Sequence, residues 1–490
     1  MHSVHSVHME CSRCAQPSSL MNGEFLKCKV RLCARGDQQL PEVSFKETDL
    51  YAPVLKASET RLLLALAVAE GAKVIKTDTK QAYLYGDMGD DVVYIRPPDW
   101  WPEPIPEGHV FLLLKSIYGT RQAARKWHNH ISTWMENNGY AAVNSEKTIF
   151  MKRKGSEYII HGLFVDDMMH IYSSDEMKDE FLALYKKDFE ITGGGKMETF
   201  LGMAVEQKGK AIKIHLDNYI KDVLADYSSY IKKSLRPKKV PISPGVVFKA
   251  DDIPECPDPR RQKHYRSFVA TLQFAATWIR FDISFAVSQL ARFCASAGES
   301  QWAALHHLME YLAAHPSFKI KYRIGMKLVD LLSGSADADW GNSSSRRSTS
   351  GIIMLYNKSP IMWKSKMQKT TALSTAEAEY YSASTAGCEV LYLRDLLRRL
   401  GFGQKKPTPV YEDNAACIEW GNNVIGGRER AKHIDIWKHF AHEVIQNGEM
   451  RLIKVATKHQ LADILTKGLH LPQVTACVDG LLGRTPVSST

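Results

Sequence analysis

Two adjacent aspartates interrupt an apolar run. In LFVDDMMHI, Asp166 and Asp167 separate two apolar segments, 158–165 and 168–172, a pattern that predicts a hairpin with both acids at its tip. Neighbouring carboxylates beside buried strands repel each other and lose solvation, which is costly unless a cation lies between them. Divalent magnesium answers that demand, because it binds one or two carboxylates together with substrate phosphates. Asp78 closes a separate short strand candidate, in VIKTD. Two acidic strand ends meeting at the edge of one sheet would make a two-metal site for in-line phosphoryl transfer. The alternative is a turn that uses aspartate only for its backbone bonding.

The chain is long enough to place that hairpin among several cores: its 490 residues suggest about three domains. A composition of 44% hydrophobic and 24% charged residues excludes a mainly disordered or collagenous chain. The longest purely apolar run, 62–69, reads as helix and is far short of the ~20 residues a membrane span needs. The opening HSVHSVH lacks the basic-then-apolar order of a signal peptide. Nine cysteines at irregular spacing suggest free thiols in a reducing compartment. Membrane-spanning and secreted classes therefore drop out. A net charge of +10 suits a polyanionic partner without requiring one. His2, His5, His8, Cys11 and Cys14 form no complete tetrahedral set at a known metal spacing, so 1–24 is expected to be an unstructured or misassigned leader. A helix is expected over 122–137, strands over 200–205 and 211–215, a basic Pro-containing connector over 232–244, and helices over 265–293 and 301–314.

The last third has its own order. Strands are expected at 331–336, 351–357 and 359–364, a helix at 375–399, and a strand at 409–413. Helices from 414 and over 434–446, a strand at 450–456 and a short helix from 461 follow, which is a mixed α/β layer pattern. Asp337 follows the first strand, Glu379 lies in the long helix, Asp413 ends PVYED and Asp463 begins LADILTK. Four acids from four elements converging at strand ends would flank a phosphodiester with two magnesium ions. Glu377 sits about 200° from Glu379 around a helix and is set aside. Asp339 faces the same side as Asp337 and is either its rival or its assistant.

These motifs, in this order, resemble the reverse transcriptase and ribonuclease H of copia-type long terminal repeat retrotransposons. KCKVRLCARG resembles the fingers motif, YAPVLKASETRLLLALA the block after it, and IKTDTKQAYLYGDM the first catalytic motif. LLKSIYGTRQAARKW resembles the substrate-positioning motif, FVDD the YVDD box, and FLGM the primer grip. SADADW, RRSTSG, ALSTAEAEY, YEDNAA, KHIDI and QLADILTK resemble the ribonuclease H segments. The likeness runs over 27–469.

The resemblance implies an α+β/α/β multidomain fold: a right-hand polymerase with palm, partial fingers and thumb/connection, followed by a ribonuclease H-like domain. The leader would be 1–24, fingers and palm 25–198, thumb and connection 199–330, ribonuclease H 331–470, and a flexible tail 471–490. Asp78, Asp166 and Asp167 would be the polymerase triad, with Asp78 and Asp166 as metal ligands. Tyr83 would be the gate against the ribose 2′-hydroxyl. Arg35 and Lys29 would pair with the triphosphate, where a guanidinium fork suits phosphate oxygens. Gln122 would line the nucleotide pocket. Asp337, Glu379, Asp413 and Asp463 would be the catalytic and metal-binding acids of the ribonuclease. His433, in KHIDI, would orient its helix or relay a proton.

The implied cofactor is Mg2+, two per active site, with Mn2+ as a substitute. The implied partners are an RNA template, a DNA primer or RNA–DNA hybrid, and deoxynucleoside triphosphates. Self-association or polyprotein segments outside this chain would be further partners, and no membrane is implied. The implied location is cytoplasmic element particles, or else the nucleus. Three departures stand out. The fingers motif lacks the preceding strand that pairs with it, phenylalanine replaces the tyrosine of YVDD, and TWIRFDI replaces TRPDI. The alternative function is a decayed, truncated fragment that only binds nucleic acid or keeps ribonuclease H alone.

Overall fold

A helix that is apolar on every side has to be covered on every side. Helix α1 (Ala57–Ala69) carries LLLALAVA, and every residue from Glu59 to Val68 is buried. Each of its leucines contributes about 1.5–3 kcal/mol of burial. In the computed structural model, which describes residues 11–21, 24–42, 45–98, 100–248, 258–324, 330–341, 346–422 and 432–484, the elements that cover α1 lie far downstream. The chain accordingly forms two interleaved compact units. The first takes Met1–Leu55 and Val74–Lys196; the second takes Lys56–Lys73, with α1, and Met197–Thr490. This division differs from the one drawn from the motifs, because α1 leaves the first domain and the segments on either side of residue 330 form one unit.

In the first unit, β1 (Cys11–Met21) pairs antiparallel with β2 (Glu24–Ala34), in a register running from Cys11↔Ala34 to Met21↔Glu24. This corrects two expectations. Residues 11–21 are not an unstructured leader, and the fingers motif does have a pairing strand. The signal was the Asn22–Gly23 dipeptide between the two runs, which favours tight hairpins. The proposed leader's first ten residues lie outside the described residues.

A second sheet has six strands. They are β3 (Lys73–Thr79), then, beyond a small ladder of β4 (Tyr94–Ile95) and β5 (Phe111–Leu112), β6 (Ala141–Ala142), β7 (Ile149–Lys154), β8 (Glu157–Phe164), β9 (Asp167–Tyr172) and β10 (Ile191–Lys196). Their order is β10-β3-β9-β8-β7-β6, so the two acid-bearing strands β3 and β9 are neighbours. Helices α2 (Ala123–Asn137) and α3 (Asp175–Asp188) supply Trp127, Ile131, Met135, Phe181 and Tyr185 to the sheet's core. The α3 helix is well specified locally. The Ser174 hydroxyl accepts the Met177 N–H, acids occupy the first turn and Lys186 and Lys187 the last.

The second unit begins with a four-stranded sheet, β11 (Thr199–Phe200), β12 (Met203–Lys208), β13 (Ala211–His215) and β14 (Lys319–Arg323), in that order. The single strand expected over 200–205 is instead two strands around a two-residue turn. Leu201 and Gly202 both have positive φ there, as a hairpin of that length demands. Helices α4 (Asp217–Ile231), α5 (Pro259–Trp278), α6 (Ser284–Ala291) and α7 (Glu299–Ala314) follow. The helix expected over 265–293 is broken after Trp278. At the break, buried Arg280 forks onto Asp282, with contacts of 2.9 and 2.7 Å, and donates to the His315 carbonyl. Those bonds require a turn that a straight helix lacks.

The unit ends in a five-stranded sheet of β15 (Leu332–Asp339), β16 (Thr349–Tyr356), β17 (Ser359–Met367), β18 (Thr408–Glu412) and β19 (Met450–Lys454). Its order is β17-β16-β15-β18-β19; the first three strands are antiparallel, and β18 and β19 continue in parallel. Helix α8 (Thr375–Arg399) packs across β15 and β16, followed by α9 (Ala415–Asn422) and α10 (Lys432–Gln446). The tail expected to be flexible forms α11 (Leu471–Leu481), which buries Val474, Cys477 and Leu481.

Candidate active sites

In the first unit, β8 and β9 meet in a two-residue turn of Val165 and Asp166, with Phe164 paired to Asp167. Val165 has φ +55, a conformation a β-branched residue rarely adopts. The Trp127 indole N–H donates to the Val165 carbonyl at 2.7 Å and fastens the turn. The Thr79 N–H donates to the Asp166 carbonyl at 2.9 Å, so the end of β3 is tied to the same turn. Although the Asp166 side chain keeps access to solvent, surrounding protein desolvates its carboxyl and raises its pKa; Asp78 and Asp167 add repulsion, and Lys76 offsets part of it. Asp167 is tied to Lys76 at 2.5 Å. Asp78 accepts a long contact from the Thr192 hydroxyl at 3.5 Å. Asp78 and Asp166 are thus close enough to interact, while Asp167 is held by a lysine.

Tyr83 is half-buried, packs edge-on against Tyr118 at 5.2 Å, and has its hydroxyl pKa raised by burial and by the nearby Asp166 charge. Gln122 is fully buried, and its amide oxygen accepts from Gln39 at 3.0 Å. Its amide oxygen therefore bonds to protein. Arg35 forks onto Asp37 with contacts of 2.9 and 2.7 Å. The Lys29 side chain lies outside the described residues. Behind Arg35, the backbone of Gly36 lies so close to Gly119 that a Cβ on Gly36 would sit 2.0 Å from the Gly119 carbonyl oxygen. The fingers and substrate-positioning motifs therefore meet through a glycine pair.

In the second unit, Asp337, Glu379 and Asp413 bring ligand atoms within 4.8 Å of one another, the only such group of three among the described residues. Asp337 comes from β15, Glu379 from the first turns of α8, and Asp413 from the residue after β18. Asp337 is 2% exposed; its Oδ2 accepts the Thr466 hydroxyl at 2.5 Å, and its backbone carbonyl accepts from Ser382 at 2.8 Å. Burial raises the pKa values of both Asp337 and Glu379: at Asp337 the Asp463 charge adds to the rise and Lys467 opposes it, and at Glu379 the charges of Asp337, Glu412 and Asp413 add to it. Glu379 Oε2 is buried without a hydrogen-bond donor. Glu377 faces elsewhere and accepts the Leu373 N–H. Asp463 stands just outside the three: Lys467 lies 2.8 Å from it and 3.9 Å from Asp337. Asp339 contributes to the field at Lys467.

Glycine again permits the approach. Gly351 pairs with Asp337 across β16 and β15, and a Cβ there would meet Thr466 at 2.6 Å and the Ala462 carbonyl at 2.8 Å. The short Leu461–Leu465 helix that carries Asp463 can thus lie directly on the sheet. Gln460 fastens it by donating to the Ala336 carbonyl at 2.8 Å. The side chain of His433 lies outside the described residues. Sequence reasoning missed Glu412, which is fully buried beside the cluster; burial raises its pKa, and Asp337 and Asp413 raise it further. Its only signal was an acid on the inward face of a strand whose other inward residues, Thr408 and Val410, are buried.

A buried carboxylate oxygen without a donor, among acids that repel one another, fits a divalent cation by its donor chemistry. Lys467 supplies part of the opposite charge on the Asp463 side.

Comparison with known proteins gives a match of residues 21–242 to a reverse transcriptase (RNA-dependent DNA polymerase) family model. The retrovirus-related Pol polyprotein from transposon RE2 of Arabidopsis thaliana is 30% identical over 449 residues, 91% of this chain and 30% of that protein. The retrovirus-related Pol polyprotein from transposon TNT 1-94 of Nicotiana tabacum is 29% identical over 451 residues, 91% of this chain and 33% of that protein. The chain therefore spans about a third of the length of these relatives. Among solved structures, a foamy viral protease-reverse transcriptase in complex with double-stranded DNA has a distant likeness: TM-score 0.47 and 10% identity, over 92% of this chain and 65% of that one.

Proposed function

From a chain that carries a reverse transcriptase domain and is homologous to the Pol polyproteins of copia-type transposons, we propose an RNA-directed DNA polymerase joined to a ribonuclease that degrades the RNA of RNA–DNA hybrids. It would act in cytoplasmic particles of the element. The observation that carries the reading is the convergence of Asp337, Glu379 and Asp413 from three separate elements, in the same chain as the reverse transcriptase domain.

Asp337, Glu379 and Asp413 would hold Mg2+ in the second unit, with Asp463 behind Lys467; Asp78 and Asp166 would hold it in the first. When bound, the ion supplies positive charge to the attacking and leaving oxygens of an in-line displacement. The chain's own residues do the rest. Thr466 and Ser382 fix Asp337, so its carboxylate needs little reorganisation during reaction. In the first unit the Trp127 clamp on Val165 sets the Asp166 turn. The Tyr83 ring, wedged against Tyr118, forms a wall that would exclude a 2′-hydroxyl. Arg35 would exchange Asp37 for triphosphate oxygens, which present the same forked geometry.

Two assays on the full chain test the two halves. Primer extension on an RNA template should require a divalent cation and fall by about a hundredfold or more in Asp166→Asn. Cleavage of labelled RNA in a hybrid should fall similarly in Asp337→Asn. Hybrid binding without either product would overturn the proposal. Cleavage without extension would leave only the ribonuclease half.

A further inference from the structure

We propose that Glu412 is a fifth carboxylate of the second unit's cation centre, standing behind Asp413 and sharing the charge of the bound ion. The inference rests on the reading of Asp337, Glu379 and Asp413 as a metal centre. Glu412 ends β18, immediately before Asp413, and is 0% exposed. One of its oxygens accepts the Asn414 N–H at 2.9 Å. The other, Oε2, is buried with no N–H or O–H donor. The buried Cys417 thiol donates a weak hydrogen bond to the same carboxyl, which leaves the carboxyl short of a strong donor. The carboxyl interacts repulsively with Asp337, Glu379 and Asp413.

A buried acid kept for structure alone would have both oxygens satisfied. Glutamine would serve that purpose better here, since its oxygen could take the Asn414 N–H without repelling three neighbouring carboxylates. Lys467 does not answer the charge, because it is placed between Asp337 and Asp463. A cation among Asp337, Glu379 and Asp413 would answer it. Glu412 is not among the three residues whose ligand atoms lie within 4.8 Å of one another. It therefore acts on the ion through its charge from behind the ligands, as a positioning residue.

The test is calorimetric titration of the full chain with MnCl2, in an Asp166→Asn background that silences the first unit's site. Glu412→Gln should weaken Mn2+ binding by about tenfold, the size of effect typical of groups just outside the ligand shell. Glu412→Asp, which keeps the charge, should bind more tightly than Glu412→Gln, and Asp413→Asn should lose most of the binding. If Glu412→Gln binds Mn2+ like its parent while Asp413→Asn does not, the role of Glu412 falls and the metal centre stands. If Glu412→Gln and Glu412→Asp lose affinity equally, shape rather than charge is at work and the proposal is overturned. If Asp413→Asn also binds normally, the metal-centre reading falls and takes this inference with it.

Discussion

At the scale of single residues, the site acids combine burial with repulsion. Asp337 and Glu379 have pKa values raised by burial first and by neighbouring carboxylates second. Between the ordinary carboxylate range and those raised values, the folded chain holds more protons than the unfolded one. Their stabilising contribution is therefore complete at low pH and is lost as pH rises through the folded values. Thermal melts of the cation-free protein should show the second unit weakening from about pH 5 up to about pH 11, through the raised values of Asp337 (about 7) and Glu379 (about 11), with a shallower slope in Glu379→Gln. Added Mg2+ should oppose the loss, because the ion selects the deprotonated acids. An identical slope in Glu379→Gln would contradict the assignment. Asp166 was legible in the sequence because a charge inside an apolar run needs a reason, and Asp337 because it closes a strand candidate within a motif. The hydrogen bonds of Gln122 to Gln39 and of Arg35 to Asp37 were not, because only the fold decides which polar neighbours meet.

At the scale of elements, glycines let backbones touch where the sites are assembled. Gly351→Ala should push the short helix carrying Asp463 off β16, costing about 1–3 kcal/mol and lowering hybrid cleavage more than primer extension. Paired assays on that one variant check it; equal losses would count against the placement. Gly36→Ala should have the opposite bias, impairing extension first, since its Cβ would meet the Gly119 carbonyl. Most elements of the two acidic sites could be read from periodicity. The limits of α8 agree with the expected 375–399, and β13 with 211–215. The misses have two causes: a local turn at Leu201 and Gly202 splits one expected strand, and elsewhere a pairing that only the fold supplies overrides the local pattern. The break after Trp278 serves the buried Arg280–Asp282 pair, and β14, in KIKYR, exists because β13 offers it an edge.

At the scale of the whole molecule, α1 shows that sequence motifs and compact units need not coincide. Buried Glu59 accepts from the Tyr392 hydroxyl and the Lys56 N–H. Arg61 donates to the carbonyls of Ile361, Thr277 and Trp278 and lies 3.8 Å over the Trp363 ring. Arg61→Ala leaves those carbonyls without their donor and should destabilise the second unit by about 2–4 kcal/mol. Denaturant melts would check this, and an unchanged midpoint would show that α1 is dispensable there. The motif order grouped α1 with residues 25–198, whereas it packs within the second unit, because an apolar run such as LLLALAVA says that a helix is buried without saying by what. The central claim is that acids distant in sequence gather around a divalent cation. Anomalous diffraction from crystals of the full chain grown with Mn2+ tests it most directly. The account predicts a peak bounded by Asp337, Glu379 and Asp413. A protein that cleaves hybrids with no peak there, or with the metal held by other residues, would contradict it.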